Sequence, residues 1–223
     1  MEQYDASTKL WNQVYSECEL VDLSGEKLEV EPTFDACLKV FAQNTRRVLD
    51  YGCGTGDILF QCADFNYLTY GMGIDRSEVG IHYAEKMAHL NHYHNLDFVT
   101  GDIDNLKQMD DECFDGIILS NVLDVTPTDI AKTIFTELTR ILRPGGYLFL
   151  KLNPYVSQDK LIELGLTPIG DNLYAEDGVL RLHELDTQSW CQYLGESYNI
   201  ERYLEFPYPW QEGMNRLFLL KKK

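Results

Sequence analysis

One nine-residue stretch limits what this chain can fold into more than any other part of it. Residues 48–56 read Val-Leu-Asp-Tyr-Gly-Cys-Gly-Thr-Gly, and an amphipathic stretch begins at Asp57. This order predicts a strand, a tight glycine turn and a helix, which open a nucleotide-type α/β fold. The glycines allow positive φ angles and a close approach of a ligand to the backbone. The start of the helix leaves free N–H groups near the turn.

The glycine turn by itself does not identify its ligand. A phosphate-binding loop has a lysine after its last glycine, whereas this chain has Asp57 there. A dinucleotide turn has the spacing Gly-x-Gly-x-x-Gly, whereas Gly52, Gly54 and Gly56 follow the spacing Gly-x-Gly-x-Gly. The Asp57 carboxylate would also repel a pyrophosphate, although an acid at this place equally complements a helix dipole. Both phosphate ligands are therefore disfavoured.

The turn and four later stretches together resemble the signature of class I S-adenosylmethionine-dependent methyltransferases. Residues 73–75 (Gly-Ile-Asp), 99–103 (Val-Thr-Gly-Asp-Ile) and 114–121 (Phe-Asp-Gly-Ile-Ile-Leu-Ser-Asn) resemble that family's second, third and fourth strand motifs. Residues 142–146 (Leu-Arg-Pro-Gly-Gly) resemble the turn before its fifth strand. The resemblance implies a doubly wound, mostly parallel, seven-stranded α/β sheet with an antiparallel last strand, the Rossmann-like methyltransferase fold. It also implies S-adenosylmethionine as cofactor and S-adenosylhomocysteine as product.

The length of 223 residues suits one α/β domain, residues 1–223. We expect N-terminal helices and a lid in residues 1–45 and the cofactor-binding core in 46–152. Residues 153–223 should add an acceptor-pocket hairpin around Asp177-Gly178, a last helix and two final strands. No internal repeat or interdomain linker interrupts the chain.

The resemblance assigns cofactor roles to several acidic and polar residues. Asp75, which closes the second strand, would accept from both ribose hydroxyls, although an acid there could instead cap the next helix. Asp102 and Ile103 would meet the adenine, with a turn aspartate as the alternative for Asp102. Ser120 and Asn121 would contact the cofactor's amino group. The full predicted set is Asp50, Tyr51, Gly52, Gly54, Gly56, Asp75, Arg76, Asp102, Ile103, Ser120 and Asn121.

Aromatic residues near the N-terminus are candidates for a lid over the cofactor. Trp11, Val14 and Tyr15 fall on one face of a predicted helix, and Tyr4 precedes them. Packing of the helix on the core would explain most of this pattern. A lid would additionally bring Tyr4, Trp11 or Tyr15 near the sulfonium, where a cation–π contact contributes about 0.5–2 kcal/mol.

The net charge limits the expected methyl acceptors, and the cysteine pattern limits the expected cellular compartment. The net charge of −17 disfavours DNA or RNA as the methyl acceptor. Six scattered cysteines without a Cys-x-x-Cys pair suggest reduced, mostly buried thiols in a cytoplasmic protein. Neither a signal peptide nor a membrane-spanning run is evident. We expect a monomer or a homodimer.

The sequence marks no catalytic residue as clearly as it marks the cofactor turn. Asp124 follows the fourth strand and could accept a proton, although a solvent-exposed loop acid is the simpler interpretation. Tyr174, Arg181 and His183 lie in the predicted pocket hairpin, with packing or surface roles as alternatives. Three histidines between positions 89 and 94 lack an evident ligand set, so we expect no metal.

Methyl transfer to a small molecule is the function that these observations favour. The sulfonium itself makes the methyl group electrophilic, so the protein has mainly to align the acceptor and exclude water. The alternatives are a non-catalytic protein that binds S-adenosylmethionine or S-adenosylhomocysteine, a protein methyltransferase and, more remotely, an NAD(P)-dependent reductase.

Overall fold

A seven-stranded sheet forms the centre of the molecule in the computed structural model, which describes residues 2–170 and 172–223, with side chains from residue 5 onward. Its strand order is β3-β2-β1-β4-β5-β10-β9, and a separate sheet has the order β6-β7-β8. The strands are β1 (Arg47–Tyr51), β2 (Tyr70–Asp75), β3 (Leu96–Thr100), β4 (Phe114–Ser120), β5 (Leu142–Leu152), β6 (Thr167–Gly170), β7 (Leu173–Glu176), β8 (Val179–His183), β9 (Tyr198–Tyr208) and β10 (Gln211–Lys222).

Helices cover both faces of this sheet, as expected for a doubly wound fold. They are α1 (Glu2–Ser16), α2 (Pro32–Gln43), α3 (Asp57–Asp64), α4 (Glu78–Leu90), α5 (Ile103–Lys107), α6 (Thr128–Ile141), α7 (Gln158–Glu163) and α8 (Thr187–Gly195), with a short 3₁₀ turn at Leu123–Val125. No helix in the described part of the chain is both long and apolar enough to cross a bilayer.

The strand directions confirm the predicted fold class. Strands β1 to β5 pair in parallel, whereas β10 runs antiparallel to both β5 and β9. Strand β1 lies between β2 and β4, so the chain reverses its winding there. Ligands of open α/β sheets bind at the carboxyl ends of the strands next to such a reversal.

Two apolar clusters, one on each face of the sheet, form the core. Alternate residues of a strand point to opposite faces, so Leu49 joins the cluster beside α6 and α8 while Val48 joins the cluster beside α2, α3 and α4. Strand β4 is buried on both faces up to Leu119, as its continuous apolar run predicts. Phe34 of α2 packs edge-on against Phe149 of β5, with ring centres 5.2 Å apart.

The helix starts follow local capping rules. Glu31 accepts from the backbone N–H groups of Thr33 and Phe34 and so caps α2. Ser77 accepts from Gly80 N and caps α4, which leaves Asp75 out of the cap.

The small sheet confirms the hairpin predicted at Asp177-Gly178, since β7 pairs antiparallel with β8 across those two residues. Both residues have positive φ, 49° and 78°, as a tight hairpin turn requires. Strand β8 contacts α1 and the 3₁₀ turn after β4. The small sheet therefore covers the ligand end of the large one.

The aromatic residues at the junction of β9 and β10 differ in exposure. Phe206 is fully buried and packs on Phe34 of α2, with ring centres 5.7 Å apart. Trp210 remains 71% exposed and stacks on Tyr208 at 4.6 Å. Phe206 therefore belongs to the apolar cluster beside α2, α3 and α4.

Candidate methyl-donor site

The three glycines of the turn after β1 all need the left-handed conformation. Their φ angles are 78° at Gly52, 54° at Gly54 and 85° at Gly56, a region that costs other residues conformational energy. A Cβ atom at Gly52 would also lie 2.5 Å from the Val122 side chain. The turn can therefore approach the loop after β4 closely only because position 52 carries no side chain.

Asp75, at the end of β2, ties this turn to α4. Its Oδ2 accepts from Gly54 N at 2.9 Å and its Oδ1 accepts from Ser77 N at 2.7 Å. Burial raises the pKa of Asp75, while these two hydrogen bonds and the charge of Arg76 oppose the rise. Each carboxylate oxygen can accept a second hydrogen bond, so Asp75 keeps the capacity to bind a hydroxylated ligand.

A cavity of about 190 Å³ lies at the carboxyl ends of β1, β2 and β4. Its walls come from α1, from the residues that end β1 and β2, and from residues 120–122, 125 and 126. Gly101, which follows β3, and Ser77 also reach it. The structure brings six of the predicted cofactor residues to its wall: Tyr51, Gly52, Asp75, Arg76, Ser120 and Asn121.

Five other predicted cofactor residues do not line this cavity. Asp50 is 1% exposed below the turn, where burial, Asp75 and Asp57 raise its pKa to about 8. The Asp102 side chain is exposed and accepts from Asp104 N at 3.0 Å, in a capping box with Asn105 that begins α5. The remaining three are Gly54, Gly56 and Ile103.

Helix α1 covers the cavity. Trp11 and Tyr15, two of the three predicted lid residues, line it and stack with ring centres 5.4 Å apart. The Tyr15 hydroxyl lies 2.5 Å from the place that a Cβ atom would take at Gly54, so it occupies part of the space above the turn. The third predicted lid residue, Tyr4, has its side chain outside the described residues.

Two polar contacts fasten α1 to the rim of the cavity. Asp5 pairs with Arg76 at 2.7 Å, and Ser77 Oγ donates to Asn12 Oδ1 at 2.6 Å. Burial, and then the neighbouring Asp75, raise the pKa of Tyr15, so its hydroxyl stays protonated. These polar contacts add to the packing of α1 on α4 and β8 and hold it over the cavity.

Asp124 is buried, so the expectation of a solvent-exposed loop acid is wrong. It is 0% exposed in the 3₁₀ turn after β4, and its Oδ2 accepts from Asn153 N at 2.6 Å and from Asn153 Nδ2 at 3.1 Å. Its Oδ1 makes no hydrogen bond within the described residues. Burial raises the pKa of Asp124, whereas Asn153, Lys151 and Arg216 lower it.

The other candidate catalytic residues lie away from the cavity. His183 is buried and lines a separate cavity of about 100 Å³ with Trp190, where its Nε2 is 3.4 Å from Thr128 Oγ1. Tyr174 packs in the small core of the hairpin. Arg181 is exposed and pairs with Glu176 at 3.2 Å. Among residues 2–170 and 172–223, no three His, Cys, Asp or Glu side chains are grouped to hold a metal ion.

Sequence reasoning missed Lys151, which supports the cavity wall from behind. Lys151 is 1% exposed on β5 and donates to Asn121 Oδ1 at 2.7 Å. A lysine inside an apolar strand is the one available signal, because a buried ammonium needs a partner. Ser77 and Thr126 were also missed as lining residues, since small hydroxyl residues follow strands in many folds.

Comparison with known proteins agrees with this geometry. A family model described as "Methyltransferase domain" matches residues 42–166, more than half of the chain. The chain is 33% identical over 108 residues to the phthiotriol/phenolphthiotriol dimycocerosates methyltransferase of Mycobacterium tuberculosis. That match covers 46% of this chain and 36% of the relative, so this chain corresponds to about a third of the relative's length.

Solved structures share the fold over most of the chain. One is a 1,6-didemethyltoxoflavin-N1-methyltransferase of Burkholderia thailandensis with bound S-adenosylhomocysteine, at 16% identity and a TM-score of 0.69, which covers 86% of this chain and 77% of that one. A SAM-dependent methyltransferase of Methanosarcina mazei aligns at 22% identity and a TM-score of 0.68, covering 87% and 99% of the two chains. At these identities the likeness concerns the fold alone.

Proposed function

The chain belongs to the methyltransferase-domain family, and from that premise we propose that it transfers a methyl group from S-adenosylmethionine to a small-molecule acceptor. One observation carries the proposal beyond family membership. The cavity at the carboxyl edge of the sheet joins the glycine turn, Asp75 and the end of β4 under an aromatic-lined helix. These are the parts that a nucleoside with a charged amino-acid end would need.

The cavity wall offers a separate contact for each part of the cofactor. Asp75 would accept from the ribose hydroxyls, and its two existing bonds to backbone N–H groups hold its carboxylate in place. The adenine would extend toward Gly101, with Asp102 and Ile103 beyond it. The amino-acid end would lie between Gly52 and the pair Ser120 and Asn121.

The charge and the aromatic lining of the cavity suit a sulfonium cation. Trp11, Tyr15 and Tyr51 line the cavity beside Asp75, and aromatic faces attract a cation by about 0.5–2 kcal/mol. When bound, the cofactor supplies an electrophilic methyl group. The protein contributes by orienting the acceptor in line with the methyl–sulfur bond and by excluding water, which can supply about 7–11 kcal/mol of the barrier.

Helix α1 acts as a movable lid in this proposal. The cavity of about 190 Å³ is smaller than the roughly 300–1,000 Å³ of sites for drug-sized ligands. Because the Tyr15 hydroxyl fills the space above Gly54, α1 would shift to admit the cofactor. The Asp5–Arg76 ion pair, with one exposed partner, is weak enough to open.

The remaining parts of the proposal concern the acceptor, the organisation of the chain and its location. A small-molecule acceptor is supported by the net charge of −17 and by the lipid acceptor in the name of the mycobacterial relative. We propose one domain, with residues 1–45 as cover, 46–152 as core and 153–223 as acceptor side. A cytoplasmic location is supported by six free cysteines.

Calorimetry with S-adenosylhomocysteine tests the cofactor site. We expect the native protein to bind it and Asp75→Ala to weaken binding roughly tenfold or more, since a charged hydrogen bond contributes about 1.5–3 kcal/mol. Glu78→Ala is the matched control, because this exposed acid lies three residues away at the start of α4. Absence of binding by the native protein would refute the proposal.

A second function is favoured by one specific observation. None of the four candidate catalytic residues, Asp124, Tyr174, Arg181 and His183, lines the described cavity. A protein that binds the cofactor without transferring its methyl group would have the same site. A methyl-release assay over a panel of hydroxyl, amine, thiol and carboxylate acceptors separates the two functions: binding with no release on any acceptor would favour the second.

A further inference from the structure

Lys151 is a buried cation whose close partner is an amide and not a carboxylate. It lies on β5 with 1% of its surface exposed. Its Nζ donates to Asn121 Oδ1 at 2.7 Å and lies 5.1 Å from the centre of the Tyr208 ring. Burying an ammonium group costs free energy unless its contacts compensate. The burial of Lys151 therefore needs a structural or functional reason.

Asn121 is the residue that these contacts hold. It follows β4 with a φ of 55°, in the left-handed region that asparagine adopts more readily than most residues other than glycine. Its backbone N–H donates to Lys151 O at 3.0 Å, so Lys151 is hydrogen-bonded to both the main chain and the side chain of Asn121. Asn121 itself lines the methyl-donor cavity.

The bond from Lys151 also fixes which way the Asn121 amide points. Lys151 can only donate, so the amide oxygen of Asn121 must face it. The Nδ2 group, with two N–H donors, is then turned to the other side of the amide, away from the ammonium. A ligand oxygen beside Asn121 would therefore meet an N–H donor. On the proposed cofactor, the oxygens that most need such a donor are those of the charged carboxylate.

We propose that Lys151 is a positioning residue that orients Asn121 to donate a hydrogen bond to the carboxylate of the cofactor's amino-acid end. This inference rests on the proposed function, since it concerns the same cavity. Lys151 touches neither the cofactor nor the acceptor. Its lowered pKa of about 8, caused by burial and opposed by Asp124, agrees with a cation held mainly by neutral groups.

Two ligands that differ only at the amino-acid end test the inference. S-adenosylhomocysteine carries the carboxylate, whereas 5′-methylthioadenosine lacks the whole amino-acid end and keeps the adenosine. We expect Lys151→Met to weaken S-adenosylhomocysteine binding by about tenfold and to change 5′-methylthioadenosine binding less than twofold. A purely structural role of Lys151 would weaken both ligands equally, and that result, or no loss for either ligand, would overturn the inference.

Lys221→Met is the matched control. Lys221 lies on β10 with its Nζ 5.5 Å from the centre of the Tyr147 ring, so it has a similar aromatic contact. It pairs with Tyr147 in the middle of β5 and not with the carboxyl end of that strand. We expect Lys221→Met to leave the affinity for both ligands unchanged.

Asn121→Gly keeps the inference testable if Lys151→Met does not fold. Glycine accepts the left-handed φ without strain, so this variant removes the side chain and spares the backbone. We expect the same selective loss of S-adenosylhomocysteine binding, and no further loss when Lys151→Met is added, because the two residues act through one contact. Unchanged binding by Asn121→Gly would refute the inference, while failure of the native protein to bind either ligand would refute the proposed function instead.

Discussion

The two rims of the methyl-donor cavity are built in different ways. On the rim formed by β1 and β2, backbone N–H groups of the glycine turn and of Ser77 converge on one carboxylate, Asp75. The other rim, called the β4–β5 rim below, follows the end of β4 and is supported from behind by buried side chains: Lys151 of β5 bonds Asn121, and Asp124 bonds Asn153. The first rim is set by local backbone geometry and the second by polar groups brought together from distant strands.

Because of this difference, the two rims should be sensitive to different kinds of substitution. A substitution on the β1–β2 rim acts through the backbone conformation and a close contact, so even a small added side chain should strongly affect binding or stability. A substitution on the β4–β5 rim acts through desolvated polar groups, so a change of charge without a change of volume should have the strong effect there. The predictions below separate these two kinds of sensitivity.

The largest effect is expected from Gly52→Ala. Its Cβ would lie 2.5 Å from Val122 Cγ2 at a φ of 78°, so strain and a clash combine on the wall of the cavity. We expect loss of S-adenosylhomocysteine binding by calorimetry and a free energy of unfolding lower by about 1–3 kcal/mol. Gly178→Ala is the control, since Gly178 has the same φ of 78° in open space. Equal losses in the two variants would show that the close approach to Val122 is unimportant.

Asp124→Asn tests the β4–β5 rim with almost no change of volume. The variant removes the charge that faces Lys151 and Arg216 and weakens the bonds from Asn153. We expect the free energy of unfolding, measured in urea, to fall by about 1–3 kcal/mol. Asp129→Asn, on the exposed first turn of α6, should change it by less than about 0.5 kcal/mol. An Asp124→Asn protein as stable as the native one would remove the distinction between the two rims.

The pH dependence of stability tests the buried acid below the glycine turn. Asp50 has a pKa of about 8, against an ordinary value near 4. Between these pH values the folded protein keeps a proton that the unfolded chain has lost, so this group makes stability fall as pH rises. We expect Asp50→Asn to gain stability relative to the native protein between pH 5 and pH 8 in urea titrations.

Two neighbouring acids, Asp75 and Asp57, contribute to this shift, so neither of them can serve as a control. Asp129→Asn is the control instead, because Asp129 lies on the exposed first turn of α6 and is not among the groups that shift Asp50, and we expect it not to reproduce the gain. If the difference between Asp50→Asn and the native protein were the same at every pH, Asp50 would be ionised in the folded state.

The smallest effect on affinity is expected from Tyr15→Ala, which opens the space above Gly54. We expect faster association and faster dissociation of S-adenosylhomocysteine in stopped-flow experiments, with less than about fivefold change in Kd, because the lid slows both steps. Val14→Ala is a control on the same helix, at a residue that is 43% exposed. An unchanged association rate would mean that Tyr15 does not obstruct entry.

Much of the β1–β2 rim could be predicted from the sequence, because its parts are close along the chain. The glycine spacing and the acid that ends β2 are local signals, and the structure places Gly52 and Asp75 together. Asp102 illustrates the limit of such signals. Its exposed side chain caps α5, and its assigned adenine contact stays a prediction.

The β4–β5 rim could not be predicted in the same way. The sequence alone presents Asp124 as a loop acid and Lys151 as one charge in an apolar strand. Their burial follows from neighbours far along the chain: Asn153 bonds Asp124, and the hairpin strand β8 contacts the 3₁₀ turn that carries it. No periodicity within residues 120–126 contains that information.

The sequence by itself determined the glycine turn at the cavity, because strand alternation, left-handed glycines and capping residues act over a few neighbouring positions. The family, and the parallel sheet with its antiparallel last strand, followed from the resemblance of the turn and four later stretches to a known family of enzymes. Only the tertiary structure decided which charges are desolvated and which loop each of them holds. That outcome depends on the water excluded when distant strands and the small sheet pack together, since the energy of a buried charge is set by everything around it.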